Sequence, residues 1–269
     1  LLKNIFVLSV IYMMLISTAC SHSNSDSQMV QSDKQSIKEN HQKEIHWNYS
    51  GFTGPENWGK LSADYSACSE GKKQSPIDLK NATQKSLAKI TLSYRPSSFT
   101  VINNGHTIQA NNNKQDNMLL IDHEKYVLQQ FHFHTPSEHT LNGRSAAMEL
   151  HLVHKNEKGN LAVLAAFIQV GRENKPFSQL MSNLPKSEKE SFSVEHFNVS
   201  EILPKKESNY RYTGSLTTPP CTEGVQWIIM ESPIELSEKE VKAFQHLFTN
   251  NRRPVQPLYD RNLFIDSDL

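Results

Sequence analysis

The sequence predicts a mainly β, single domain with helices confined to its edges. Short runs of alternating character recur along the chain, turn residues separate them, and helical periodicity is thin. In chain order the runs are Ile90-Thr91-Leu92-Ser93-Tyr94, Thr100-Val101-Ile102, and residues 126–134, 148–154, 161–170 and 225–230. Asn103-Asn104-Gly105, Asn142-Gly143 and Lys158-Gly159-Asn160 supply the turns. Residues 149–154 and 161–170, joined through Lys158-Gly159-Asn160, are expected to form a hairpin. The clearest helix is expected over 237–248. Ser237 can cap it, Glu240 three residues on completes a capping box, and Val241, Phe244, Leu247 and Phe248 share one apolar face.

The chain has 269 residues, 37% apolar and 21% charged, an ordinary globular balance. Its formal net charge is zero, so the totals point to neither nucleic acid nor an anionic membrane as partner. No glycine-rich nucleotide-binding motif occurs. The first residues differ from the rest. Lys3, an apolar run over 5–16 and small residues before Cys20 describe an export signal over 1–19. Cys20 is either the acylated residue of a lipoprotein, giving a lipid anchor, or lies beside an ordinary cleavage site. Residues 20–45 are rich in Ser, Asn, Gln, Asp and Lys and read as a flexible tether, leaving 46–269 as the folded domain. The expected location is periplasmic or cell-envelope. In that setting Cys68 and Cys221 can pair, or remain as two buried thiols.

Residues two apart in a strand share a face. Gln130, His132 and His134 therefore point one way, and Phe131 and Phe133 the other. In the next strand Glu149, His151 and Val153 share a face. Three imidazoles converge if the two strands are neighbours, and three neutral histidines with one open position suit a catalytic zinc. Gln130 and Glu149 lie on the same face, placed to accept the outer N–H of a ligand. His139 and His154 are read as packing or surface histidines. His132, His134 and Glu138 also open a cupin-like H-x-H-x3-E motif, but the later P-x-G that cupins need does not occur, nor does H-E-x-x-H.

Gln130-Phe131-His132-Phe133-His134, Ser137-Glu138-His139-Thr140 and Glu149-Leu150-His151-Leu152-Val153-His154 closely resemble the signature of the α-class carbonic anhydrases. Gly54-Pro55-Glu56-Asn57-Trp58, Gln74-Ser75-Pro76-Ile77-Asp78, Asn103-Asn104-Gly105-His106, Ser215-Leu216-Thr217-Thr218-Pro219-Pro220 and the block from Asn251 to Leu258 extend the resemblance in order. It implies an α+β roll around a large twisted, mostly antiparallel, ten-stranded sheet, and reversible hydration of carbon dioxide to bicarbonate and a proton by a zinc-bound hydroxide. One zinc per chain would sit on His132, His134 and His151. Thr217 would be the gatekeeper and Glu138 its partner: an ionised carboxylate only accepts, so Thr217 must donate to it. Thr218 would help hold bicarbonate, and Val153, Val163, Leu216, Val225 and Trp227 would wall the carbon dioxide site. His106 would shuttle protons, with Tyr49, Asn104 and Gln109 ordering water between. The resemblance further implies a Cys68–Cys221 bridge, cis bonds at Ser75-Pro76 and Pro219-Pro220, inhibition by sulfonamides and small anions, and a monomer or homodimer. The competing reading is a catalytically silent binding module of the same fold, which typically lacks one or more of the histidines.

Overall fold

The computed structural model describes residues 45–206 and 208–266. The expected export signal and Cys20 lie outside the described residues, as does the expected tether apart from Ile45.

The strands are β1 (Asp78–Leu79), β2 (Thr83–Gln84), β3 (Ile90–Ser93), β4 (Ser97–Asn103), β5 (Ile108–Asn112), β6 (Met118–Ile121) and β7 (Glu124–His134). They continue as β8 (Thr140–Leu141), β9 (Met148–Lys155), β10 (Leu161–Val170), β11 (Ser191–Phe197), β12 (Asn209–Ser215), β13 (Glu223–Leu236) and β14 (Phe264–Asp266). Among the described residues there are four short α-helices: α1 (Trp58–Leu61) and α2 (Ala67–Glu70) before β1, α3 (Lys175–Met181) between β10 and β11, and α4 (Glu238–Leu247) between β13 and β14.

Among the described residues the large sheet follows the expected ten strands along one path and adds two more beside it, twelve in all. Ten form one path, β11-β4-β5-β7-β9-β10-β13-β12-β14-β2, and β6 and β3 lie off it. The reason is the length of β7. Its C-terminal half pairs with β5 through Gln130, Phe131 and His132, while its N-terminal residues Glu124 to Val127 run on and pair with β6. Pairing along the path is antiparallel except at β10–β13 and β14–β2. β1 and β8 make a separate parallel pair.

The expected hairpin forms as β9–β10, with Leu161 opposite Lys155. Gly159 turns it at φ +87°, a left-handed conformation that favours glycine. The capping box at α4 also forms: Ser237 Oγ accepts from Glu240 N at 3.3 Å, and Glu240 Oε2 accepts from Ser237 N at 2.8 Å.

The alternation in β7 and β9 splits the interior in two. Phe131, Phe133, Leu150 and Leu152 enter one core, completed by Phe177 and Leu180 of α3 and Val241 and Phe244 of α4. On the other side Val163, Val225 and Trp227 join Ile77 and Tyr212 in a second cluster. Each large apolar side chain so buried stabilises the fold by about 1.5–3 kcal/mol before entropy is counted. Cys68 and Cys221 are joined, with sulfurs 2.08 Å apart, and pack with Tyr49 and Trp58. Ser75-Pro76 and Pro219-Pro220 are cis, and so is Thr135-Pro136.

Candidate metal centre

β7 and β9 are antiparallel neighbours, with His132 opposite His151 and His134 opposite Glu149. The three imidazoles therefore share one face, their ring centres 5.0, 5.2 and 4.7 Å apart. Each offers a nitrogen within 4.8 Å of the others.

The remaining nitrogen of each ring is anchored. His132 Nδ1 donates to Gln130 Oε1 at 2.8 Å, and His151 Nε2 to Glu149 Oε1 at 2.9 Å. His134 Nδ1 donates to the backbone oxygen of Asn251 at 2.6 Å. A neutral imidazole that donates from one nitrogen holds a lone pair on the other. His132 and His134 therefore turn Nε2, and His151 turns Nδ1, into the cluster as acceptors. His134 Nε2 is buried and has no hydrogen-bond partner. Such an unpaired, buried lone pair suits a cation. Burial pushes the pKa of His132 well down, and mutual repulsion with His134 and His151 adds to it. Burial likewise lowers that of His134, against the opposing charge of Glu138. The neutral, ligating form is thus favoured.

Glu149 also binds the rest of the site together. Its Oε2 accepts from the backbone nitrogens of Glu138 and His139 at 2.8 Å each, and its Oε1 from His139 Nδ1 at 2.7 Å. Burial acts to raise its pKa, but the facing His139 and His151 hold it well below the usual carboxylate range. His139 Nε2 then accepts from Tyr212 OH, which in turn accepts from Ser75 Oγ, both at 2.7 Å. These bonds account for the second His/Glu group, His139 with Glu149 and His151. His139 and His154 are both fully buried packing histidines.

Glu138 is buried, with Oε2 3.4 Å from His134 Nε2 and 3.9 Å from His151 Nδ1. Its Oε1 accepts from Arg253 N at 2.8 Å, while Oε2 has no hydrogen-bond partner. Donation from Thr217 to Glu138, expected from the sequence, is therefore not formed in this arrangement, although Thr217 is buried. Thr218 fixes its loop by accepting from Cys221 N at 2.8 Å. Val163, Val225 and Trp227, with the half-buried Val153 and Leu216, form one apolar cluster, and the Trp227 ring lies 4.9 Å from that of His151.

His106 follows the turn at Asn103-Asn104-Gly105. Gly105 sits at φ +85°, and Asn104 Oδ1 accepts from the nitrogens of His106 and Thr107 at 3.0 and 2.9 Å. Asn104 Nδ2 donates to Gln109 Oε1 at 3.2 Å, so the two expected water-ordering residues bond each other directly. The half-buried His106 ring stacks on Trp47 at 3.7 Å and 6°, with Tyr49 6.4 Å away. Burial lowers the pKa of His106, the neighbouring His46 lowers it further, and Glu188 opposes both. Burial, then the charge of Glu138, pushes the Tyr49 phenol well up, so it stays protonated.

Residues 53–267 match the eukaryotic-type carbonic anhydrase family. The chain belongs to the α-carbonic anhydrases. A carbonic anhydrase from Nostoc sp. is 41% identical over 226 residues, 81% of this chain and 85% of that protein. One from Klebsiella pneumoniae is 42% identical over 219 residues, 80% of this chain and 89% of that one. The solved α-carbonic anhydrase of Thermovibrio ammonificans, in complex with the inhibitor sulfanilamide, superposes with a TM-score of 0.79 at 40% identity. That match covers 82% of this chain and 99% of the other. Sequence reasoning about the family site named no role for Asn251 or Arg253. Both stand in the matched block from Asn251 to Leu258, but their bonds to His134 and Glu138 join segments more than a hundred residues apart.

Proposed function

We propose that this α-carbonic anhydrase catalyses the reversible hydration of carbon dioxide, holding one zinc ion on His132, His134 and His151. The observation that carries the reading is the set of three imidazoles whose outer nitrogens are all engaged and whose inner nitrogens all face one point. When bound there, zinc supplies a water acidified to a pKa of about 7, a magnitude established for carbonic anhydrases as a class.

The chain's own residues do the rest. Gln130, Glu149 and the Asn251 carbonyl fix the orientation of the rings and which nitrogen of each carries the proton. Glu138, whose Oε1 accepts from Arg253 N, offers Thr217 its Oε2, which has no other hydrogen-bond partner. Once Thr217 donates there, its own lone pairs face the site and select ligands that carry a proton. The apolar cluster of Val153, Val163, Leu216, Val225 and Trp227 excludes water from the place where carbon dioxide rests, and Thr218 steadies bicarbonate. His106 takes the released proton out to buffer, since imidazole titrates near the working pH. Tyr49, Asn104 and Gln109 line its path. The site should take sulfonamides and small anions, as the sulfanilamide complex of the Thermovibrio relative supports. The export signal and Cys20 support a periplasmic or cell-envelope location, with or without a lipid anchor.

The deciding experiment is stopped-flow carbon dioxide hydration, with and without a sulfonamide, beside elemental analysis. Sulfonamide-sensitive hydration and one zinc per chain are expected. A zinc-free protein of full activity, or a zinc-loaded one without hydration, would refute the reading.

A further inference from the structure

Arg253 is a buried cation, 1% exposed, whose side-chain hydrogen-bond partners are all uncharged. One guanidinium nitrogen donates to Gln74 Oε1 at 2.7 Å and to Ser75 O at 2.9 Å; the other donates to Cys68 O at 2.7 Å. Gln74 Nε2 reaches onward to Cys221 O at 3.1 Å and to Glu223 Oε1 at 3.0 Å. With the Cys68–Cys221 bond this closes a ring: cystine, Gln74, Arg253, cystine.

Both halves of the gate hang on that ring. The backbone nitrogen of Arg253 holds Glu138 Oε1 at 2.8 Å. Cys221 ends the loop that carries Thr217, donating from its nitrogen to Thr218 O. The base of the same loop is clamped by Ser75, whose nitrogen donates to Ser215 Oγ at 2.9 Å and whose Oγ accepts from Ser215 N at 3.0 Å. Burying a guanidinium among neutral partners is expensive unless every donor is well placed. A planar fork meets several fixed carbonyls at once, which a lysine cannot. The chemistry of the gate explains why placement matters. If Glu138 rotates, or the loop shifts, Thr217 is no longer obliged to donate to the carboxylate, and the selection for proton-bearing ligands weakens.

We propose that Arg253 and Gln74 are positioning residues that hold Glu138 and the Thr217 loop in register through a hydrogen-bonded ring closed by the cystine. The assignment rests on the gate described under Proposed function. Neither residue touches the substrate; they act through Glu138 and Thr217.

The test uses the full chain with Gln74→Leu and Arg253→Lys. Zinc content is expected to match wild type. The ratio of affinities for a primary sulfonamide, which keeps a proton when bound as its anion, and for thiocyanate, which has none, is expected to fall roughly tenfold, the scale of one lost buried hydrogen bond. In metal-free protein, dithiothreitol is expected to reduce the Cys68–Cys221 bridge several-fold faster than in wild type. Gln74→Leu leaves Arg253 in place and decides the matter alone if Arg253→Lys does not fold. Wild-type discrimination together with wild-type reduction rates would overturn the positioning role. Wild-type zinc protein that fails to hydrate carbon dioxide would instead remove the gate from the reaction, while the reduction rates would still report on the ring.

Discussion

At the residue scale, His106 and His154 show how place decides what an imidazole does. His106 is half-buried at the end of a tight turn, stacked on Trp47, and keeps contact with solvent. Replacing it with alanine should slow turnover most in weakly buffered solution, and added imidazole-type buffer should restore part of the rate. Stopped-flow rates that are unchanged in every buffer would exclude the shuttle. His154 lies on the opposite face of β9 from His151, fully buried, its Nε2 accepting from Tyr94 OH at 2.7 Å. Burial pushes its pKa down to about 4. The folded chain therefore binds fewer protons than the unfolded one between pH 4 and the ordinary value of 6.5. Stability is fully present above about pH 6.5 and falls as the pH drops toward 4, by about 3 kcal/mol in all. His154→Phe should flatten that part of the profile in urea titrations of the metal-free protein. An unchanged slope between pH 4 and 6.5 would contradict the assignment. Which histidine ligates, which packs and which shuttles was legible only in part. The sequence separates His151 from His154 by strand parity, but it cannot tell a buried His139 from a surface one.

At the element scale, β7 and β9 carry the site because strand alternation sends histidines one way and core residues the other. α4 sits behind that sheet and buries Val241 and Phe244 against Phe133 and its neighbours. Its start is set by the Ser237–Glu240 box, so Ser237→Ala should lower stability by about 1 kcal/mol. Because the cap is remote from the histidines, carbon dioxide hydration at low temperature should not change. A denaturant midpoint equal to wild type would show that the box contributes nothing. The cap was readable because its signal is local. The β7–β9 pairing was expected only conditionally; β3 was read as the Ile90–Tyr94 run, while β6 was not read, nor that the two pair off the main path. Their pairing depends on how far β7 runs past β5, and no local residue pattern specifies that.

At the scale of the whole molecule, one covalent link joins residues 153 apart and ties α2 to the loop after Thr217 and Thr218. Replacing both cysteines with serine should remove about 2–5 kcal/mol of stability, through the wider unfolded ensemble. Native protein should show no free thiol from this pair; two reactive thiols would deny the link. The loss should exceed that of the cap variant, because the cystine also seats Gln74 and Arg253.

The sequence by itself determined the parity of the site: Gln130, His132 and His134 on one face of a strand, Glu149, His151 and Val153 on one face of the next. That follows from the two-residue period of extended backbone and needs no other part of the chain. Its motif blocks also carried the resemblance that the family match bore out. Only the tertiary structure decided that His132 stands opposite His151, that His134 is anchored by a carbonyl 117 residues away, and that Glu138 takes its first hydrogen bond from Arg253. Those contacts join segments remote in the chain. Register, loop closure and core packing set them together, and none is written in the spacing of neighbouring residues.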